Sequence, residues 1–142
     1  MTVSSASAVW EGGLKTGKGT FAAGSKAFQG PYTFATRFEG AAGTNPEELI
    51  AAAHAACFSM ALSADLEKAG KPVTRIATKA SCTLETVGGK PTISKMRLEV
   101  RGKVPGLDQA GFQKAADGAK ANCPVSRALM NNVAFELDAK LE

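Results

Sequence analysis

The sequence predicts a single α+β domain, and three observations carry that reading. A Gly- and Ser-rich opening holds short alternating segments, and a run of about 24 helix-compatible residues follows it. The second half then passes from a hairpin pattern to helices and a last alternating strand. With 142 residues, 44% of them hydrophobic and 21% charged, the chain has the make-up of one globular domain. It is large enough to bury a core without a disulfide or metal staple. Neither a linker nor an internal repeat divides it, so residues 1–142 are expected to form one domain.

Each element has a local reason. Residues 9–10, 19–21 and 32–38 read as short strands between Gly-rich turns. In the last of them Tyr32, Phe34 and Thr36 share one face and Arg37 takes the other. Gly43-Thr44-Asn45-Pro46-Glu47-Glu48 is a helix start. Thr44 or Asn45 can cap, Pro46 suits the first helical position, and the glutamates suit the positive end of the dipole. A capping-box pairing of Thr44 with Glu47 competes with any other task for Glu47. The helix runs to about residue 69, near 36 Å of rise, and stops at Gly70 and Pro72. Its apolar residues ring much of the circumference, which predicts a central, largely buried helix.

Residues 75–85 alternate, with Ile76, Thr78, Ala80, Cys82 and Leu84 on one face. After the turn at residues 88–91, residues 92–103 alternate again with Met96, Leu98 and Val100 inward, giving an antiparallel hairpin. Asp108 opens a helix through about residue 121. Asn122-Cys123-Pro124 interrupts it, because proline disfavours helical geometry before itself and suits a new start. A short helix over 124–130 and a strand carrying Val133, Phe135 and Leu137 complete the order.

Composition narrows the functional classes. The formal charge of +4 comes from Lys and Arg spread along the chain, which is not a nucleic-acid footprint but modestly favours a small anionic partner. Three cysteines, an odd set, argue against a secreted disulfide scaffold. No secretory signal is expected. The apolar stretch over 49–66 contains His54, Ser59, Ser63 and Asp65, so no bilayer span is expected either. A reducing cytoplasm is the expected location, where a dithiol is chemical rather than structural. Aromatics are only 6% of the chain and alanine does much of the filling, so burial between two subunits would help.

The three cysteines differ in setting. Cys82 sits among inward strand positions and reads as a small core residue. Cys57 lies mid-helix, either core or reactive. Cys123 precedes a helix-initiating proline beside free backbone N–H groups, a place that stabilises a thiolate. His54 lies three residues before Cys57 and shares its side of the helix. It can be a base, a zinc ligand with Cys57 and Cys123, or a packed, hydrogen-bonded histidine. Glu47 precedes Cys57 by nearly three helical turns, so the two can border one groove. A strand-borne Arg37 paired with Glu47 can offer its cation to a Cys57 thiolate. A solvated arginine and an ordinary helix-start glutamate fit the pattern equally well.

The segment RFEGAAGTNPEELIAAAHAACFSM over 37–60, with Asn122-Cys123-Pro124-Val125-Ser126 downstream, resembles the OsmC/Ohr family of osmotically inducible and organic hydroperoxide resistance proteins. Trp10-Glu11-Gly12, Gly17-Lys18-Gly19-Thr20, His54 and Val104-Pro105-Gly106-Leu107-Asp108 are closer to its OsmC branch. The resemblance covers essentially the whole chain. It implies an OsmC-like fold with antiparallel sheets around a long central helix, in an intertwined homodimer. It also implies a thiol peroxidase that reduces organic hydroperoxides and, more weakly, hydrogen peroxide, with no cofactor. By position Cys57 is then the peroxidatic cysteine and Cys123 the resolving one, with Arg37 and Glu47 as the activating pair. Cys82 stays outside the site.

The implied reductant is an external dithiol such as a lipoyl-bearing protein, with neither nucleic acid nor membrane as partner. Phe38, Phe58 and Met60 are candidates for an alkyl pocket or for core. Two other readings compete: a small-molecule binding protein with the same fold and no turnover, and a hydrolase using Cys57 with His54. The hydrolase would also need an oxyanion site and a third orienting group, and neither is visible.

Overall fold

Short alternating segments and glycine turns build the first part of the chain. The computed structural model describes residues 1–142, which form two compact units, Met1–Leu49 and Ile50–Glu142. In the first unit β1 (Ala6–Glu11), β2 (Lys18–Ala23) and β3 (Gln29–Tyr32) make an antiparallel sheet in sequential order. Gly19 has a steric task in it. A Cβ there would lie 2.5 Å from the Tyr32 ring and 2.7 Å from Trp10, so only glycine lets these two rings meet over the sheet.

The expected strand over 32–38 ends early. Thr33 caps α1 (Phe34–Phe38) in a capping box: the Thr36 N–H donates to Thr33 Oγ1 at 3.2 Å, and the Thr33 N–H donates to Thr36 Oγ1 at 3.0 Å. The Phe34 and Phe38 rings then stack one turn apart with centroids at 4.9 Å. Arg37 is therefore carried by a helix rather than a strand.

The long helix α2 (Pro46–Lys68) begins where the sequence places it. Asn45 is the residue that caps it, accepting the Glu48 N–H on Oδ1 at 2.8 Å, while its Nδ2 donates to the Thr36 carbonyl at 3.0 Å. The cap does not use Glu47. The expectation that α2 is largely buried needs correction. Ala51, His54, Phe58, Leu62 and Leu66 form one buried stripe, whereas Ala52, Ala53, Ala56, Met60 and Ala64 are exposed. An apolar ring says only that every face wants cover, and this chain covers one. By length and composition, with mean hydropathy 1.5, α2 would also suffice to cross a membrane. The sequence expectation, based on its polar residues, was otherwise.

In the second unit β4 (Arg75–Val87) and β5 (Lys90–Lys103) pair as the expected antiparallel hairpin. They are followed by α3 (Gln109–Asn122), α4 (Pro124–Leu129) and β6 (Ala134–Leu141). The expectation of antiparallel sheets fails for one pair, since β6 runs parallel to β5. The physical reason is the connection: two helices intervene between β5 and β6, long enough for the crossover that a parallel pair requires. Asp108 caps α3 by accepting the Gly111 N–H at 2.8 Å. The main core joins Phe58, Leu62 and Leu66 of α2 to Leu98 and Val100 of β5 and to Phe112, Ala116 and Ala119 of α3. Cys123 belongs to this cluster. Cys82 packs instead beside Met96, Ala51 and Val133, in keeping with its reading as a core residue.

Candidate active site

Cys57 and Cys123 face each other. The two sulfurs are 66 positions apart in sequence and 2.9 Å apart in space, with the Cys123 thiol donating to Cys57. That is outside the roughly 2.05 Å of a disulfide, so both are thiols at contact distance. Cys57 sits near the middle of α2 and is half-buried; Cys123 is fully buried at the junction of α3 and α4.

Their surroundings redistribute the roles expected from local chemistry. The side chain of Cys123 makes no capping hydrogen bond at the start of α4. The backbone N–H of Val125, in that same first turn, instead donates to Cys57 and favours its thiolate. Burial acts more strongly the other way and pushes the Cys57 thiol above its ordinary value. The adjacent Cys123 sulfur adds to this, because the pair shares a proton and two thiolates in contact would repel.

His54 lies one turn before Cys57, fully buried, and its Nε2 is 2.8 Å from Ser126 Oγ on α4. The ring also packs on Phe135 at 5.2 Å between centroids. Burial holds its pKa below the ordinary imidazole value. The packed, hydrogen-bonded reading of His54 is the one the structure bears out. Its one hydrogen-bond partner is Ser126, its Nδ1 has none, and no three His, Cys, Asp or Glu side chains gather as a metal-ligand set. The hydrolase and zinc readings lose their geometry.

In the first unit Arg37 and Glu47 form a two-pronged ion pair. Arg37 Nη2 donates to Glu47 Oε1 at 2.8 Å, and Nε donates to Oε1 at 3.1 Å and to Oε2 at 3.3 Å. The carboxylate side chain is 7% exposed and the guanidinium 37%. Because Asn45 caps the helix, Glu47 is free to hold Arg37, which settles the competition left open by the sequence. The guanidinium also lies over the Phe38 ring at 5.3 Å.

Arg37 and Phe38 line a hollow of about 210 Å³ with Trp10, Leu14, Tyr32, Thr33 and Phe34. This aromatic wall was missed as a unit in the sequence, although its signal was present in the scattered aromatics of an aromatic-poor chain. Of the three pocket candidates only Phe38 lines this hollow. Phe58 is fully buried core, and Met60 is 75% exposed on the open face of α2. A larger, shallower hollow of about 470 Å³ over β1–β3 has no ionisable side chain in its lining.

A part-buried dithiol at contact distance in an α+β fold defines a thiol-redox class of protein. Comparison with known proteins narrows the class. Residues 39–138 match the profile of the OsmC-like protein family. The chain is 48% identical over 132 residues to the Escherichia coli protein named peroxiredoxin OsmC, covering 92% of each. It is 36% identical over 95 residues to an organic hydroperoxide resistance protein of Xanthomonas axonopodis pv. citri, covering 66% of this chain and 65% of that one. The crystal structure of the organic hydroperoxide resistance protein OhrB of Bacillus subtilis superposes with a TM-score of 0.77 at 26% identity, covering 96% of this chain and 98% of that one. The chain belongs to the OsmC family and has its fold.

Proposed function

We propose that this protein is a cysteine-based peroxidase that reduces organic hydroperoxides, and more weakly hydrogen peroxide, with Cys57 as the attacking and Cys123 as the resolving residue. The observation that carries this is the 2.9 Å contact between two thiols brought together only by the fold. The names of the relatives, peroxiredoxin and organic hydroperoxide resistance protein, support the same chemistry.

The Cys57 thiolate attacks one peroxide oxygen and the O–O bond breaks. The other oxygen leaves with a proton as alcohol or water, and Cys57 becomes a sulfenic acid. Cys123, already in contact, displaces the sulfenic hydroxyl as water and closes the Cys57–Cys123 disulfide. An external dithiol, in our reading a lipoyl-bearing one, then restores both thiols by exchange.

Burial pushes the Cys57 thiol up, and in this reading Arg37, the activating residue that the family resemblance implies, is the cation that offsets it. Glu47 orients the guanidinium, which also stabilises charge on the departing oxygen. The aromatic hollow beside Arg37 suits the alkyl part of the substrate. The working form is a homodimer in which a second copy covers the exposed alanine and Met60 stripe of α2. The activity belongs in the cytoplasm, where a dithiol stays reduced.

Stopped-flow thiol titration with cumene hydroperoxide tests this reading. Rapid loss of two thiols per chain is expected in the reduced protein, and loss of that reaction in Cys57→Ser. A rate no faster than that of free thiol, or one unchanged in Cys57→Ser, would defeat it.

A further inference from the structure

The proposed chemistry leaves His54 and Ser126 without a task, although both are fully buried polar side chains. Each comes from an element that carries one thiol. His54 is one turn before Cys57 on α2, and Ser126 lies in the first turn of α4, of which Cys123 is the N-cap. Helix α4 has six residues, too few to hold a place by itself, so tertiary contacts must locate it. Three of them join its first turn to α2: the Cys123–Cys57 contact, the Val125 N–H on the Cys57 sulfur, and the His54–Ser126 hydrogen bond. The first two involve the Cys57 sulfur, and their geometry changes as that sulfur passes from thiolate to sulfenic acid to disulfide. The third does not depend on the oxidation state of Cys57. It is also costly to break, because it would leave a buried polar group unpaired.

We propose that His54 is a positioning residue for disulfide closure: through Ser126 it holds the first turn of α4 against α2, keeping the Cys123 sulfur within reach of Cys57 throughout the cycle. This rests on the reading of Cys57 and Cys123 as the redox pair. In the closure step the S–S bond forms as the Cys57 S–O bond breaks. Hydroxide leaves with the Cys123 proton as water, and no further oxidant is consumed. Closure is unimolecular, so its rate follows the fraction of time the sulfurs are aligned. A turn that drifts leaves sulfenic acid exposed to a second peroxide and to conversion into sulfinic acid.

The test equilibrates the full chain with glutathione and glutathione disulfide, in which protein dithiol and glutathione disulfide exchange for protein disulfide and two glutathiones. Ser126→Ala should lower the closure constant about tenfold, because without the bond the turn is free to move in the dithiol form and that freedom must be given up when the disulfide closes. It should also raise the sulfinic share of Cys57 under excess cumene hydroperoxide, read by mass spectrometry. His54→Leu should behave alike, whereas His54→Gln, whose side-chain amide can either donate to or accept from the Ser126 hydroxyl, should restore most of the closure constant. An unchanged constant in folded Ser126→Ala would overturn the proposal, and so would His54→Gln failing as badly as His54→Leu. Should His54→Leu not fold, Ser126→Ala, which removes a single oxygen, decides the matter. The glutathione equilibrium needs no peroxide. A protein that closes its disulfide normally but consumes no hydroperoxide would sink the peroxidase reading and leave the positioning role standing.

Discussion

Glu47 is a carboxylate with 7% of its side chain exposed, and such a group is tolerable only with a partner. Arg37 is that partner, bound through two nitrogens, and lysine could not reproduce the fork. Replacing Arg37 by Ala therefore has two separable consequences. Stability should fall by about 1–3 kcal/mol, less than for a fully buried pair because the guanidinium is partly solvated. On the proposed mechanism, peroxide attack should slow roughly a hundredfold. The pH dependence has a definite sign. Only the thiolate reacts, and burial already holds the Cys57 thiol above its ordinary value; on the proposed mechanism, removing the Arg37 cation raises it further. The midpoint of the iodoacetamide alkylation profile of Cys57 should move to higher pH in Arg37→Ala. An unmoved midpoint would show that Arg37 does not act on that sulfur. Spacing raised Arg37 with Glu47 as one candidate pair but could not choose it over a solvated arginine, and it gave no sign of the dithiol between 57 and 123, because both are products of the fold. The family resemblance favoured the first and supplied the second, while the residues alone pointed to Cys123 before Cys57.

At the scale of elements, what was legible is what is locally encoded. Asn45 with Pro46, Asp108 and the Cys123-Pro124 break all mark helix starts by chemistry confined to a few residues, and all appear where the sequence puts them. The Thr33 capping box escaped notice because Thr36 replaces the usual acidic or amide residue, and because Phe34 and Phe38 satisfy strand alternation as well as helical spacing. The parallel direction of β6 is a tertiary choice that alternation cannot express. How α3 seats on β5 is another such choice, and it can be tested. A Cβ at Gly102 would lie 2.6 Å from Phe112 Cε2, and Phe112 is fully buried. Gly102→Ala should lower stability by about 1–3 kcal/mol through overpacking, even though alanine is ordinarily the better strand residue. Thermal unfolding reads this directly, and an unchanged or higher melting temperature would mean that the ring can move aside.

For the molecule as a whole, the open face of α2 is the feature that a single chain does not explain. Ala52, Ala53, Ala56 and Ala64 with Met60 follow one another at helical spacing and leave an apolar strip in solvent. Small side chains make such a strip suited to close approach of another helix, and the proposed homodimer supplies one from an identical chain. In a two-fold interface each residue near the axis faces its own copy, so one inserted charge is felt as a buried like-charge pair. Ala56→Glu places a carboxylate in the middle of the strip and points away from the chain's own core, which leaves folding of the single chain little affected. Sedimentation equilibrium should then give the unmodified protein a mass near twice 14.6 kDa and Ala56→Glu a mass near 14.6 kDa, with similar far-ultraviolet circular dichroism. A wild-type protein that sediments as a monomer, or a glutamate variant that dimerises as before, would show that a second copy is not what covers α2.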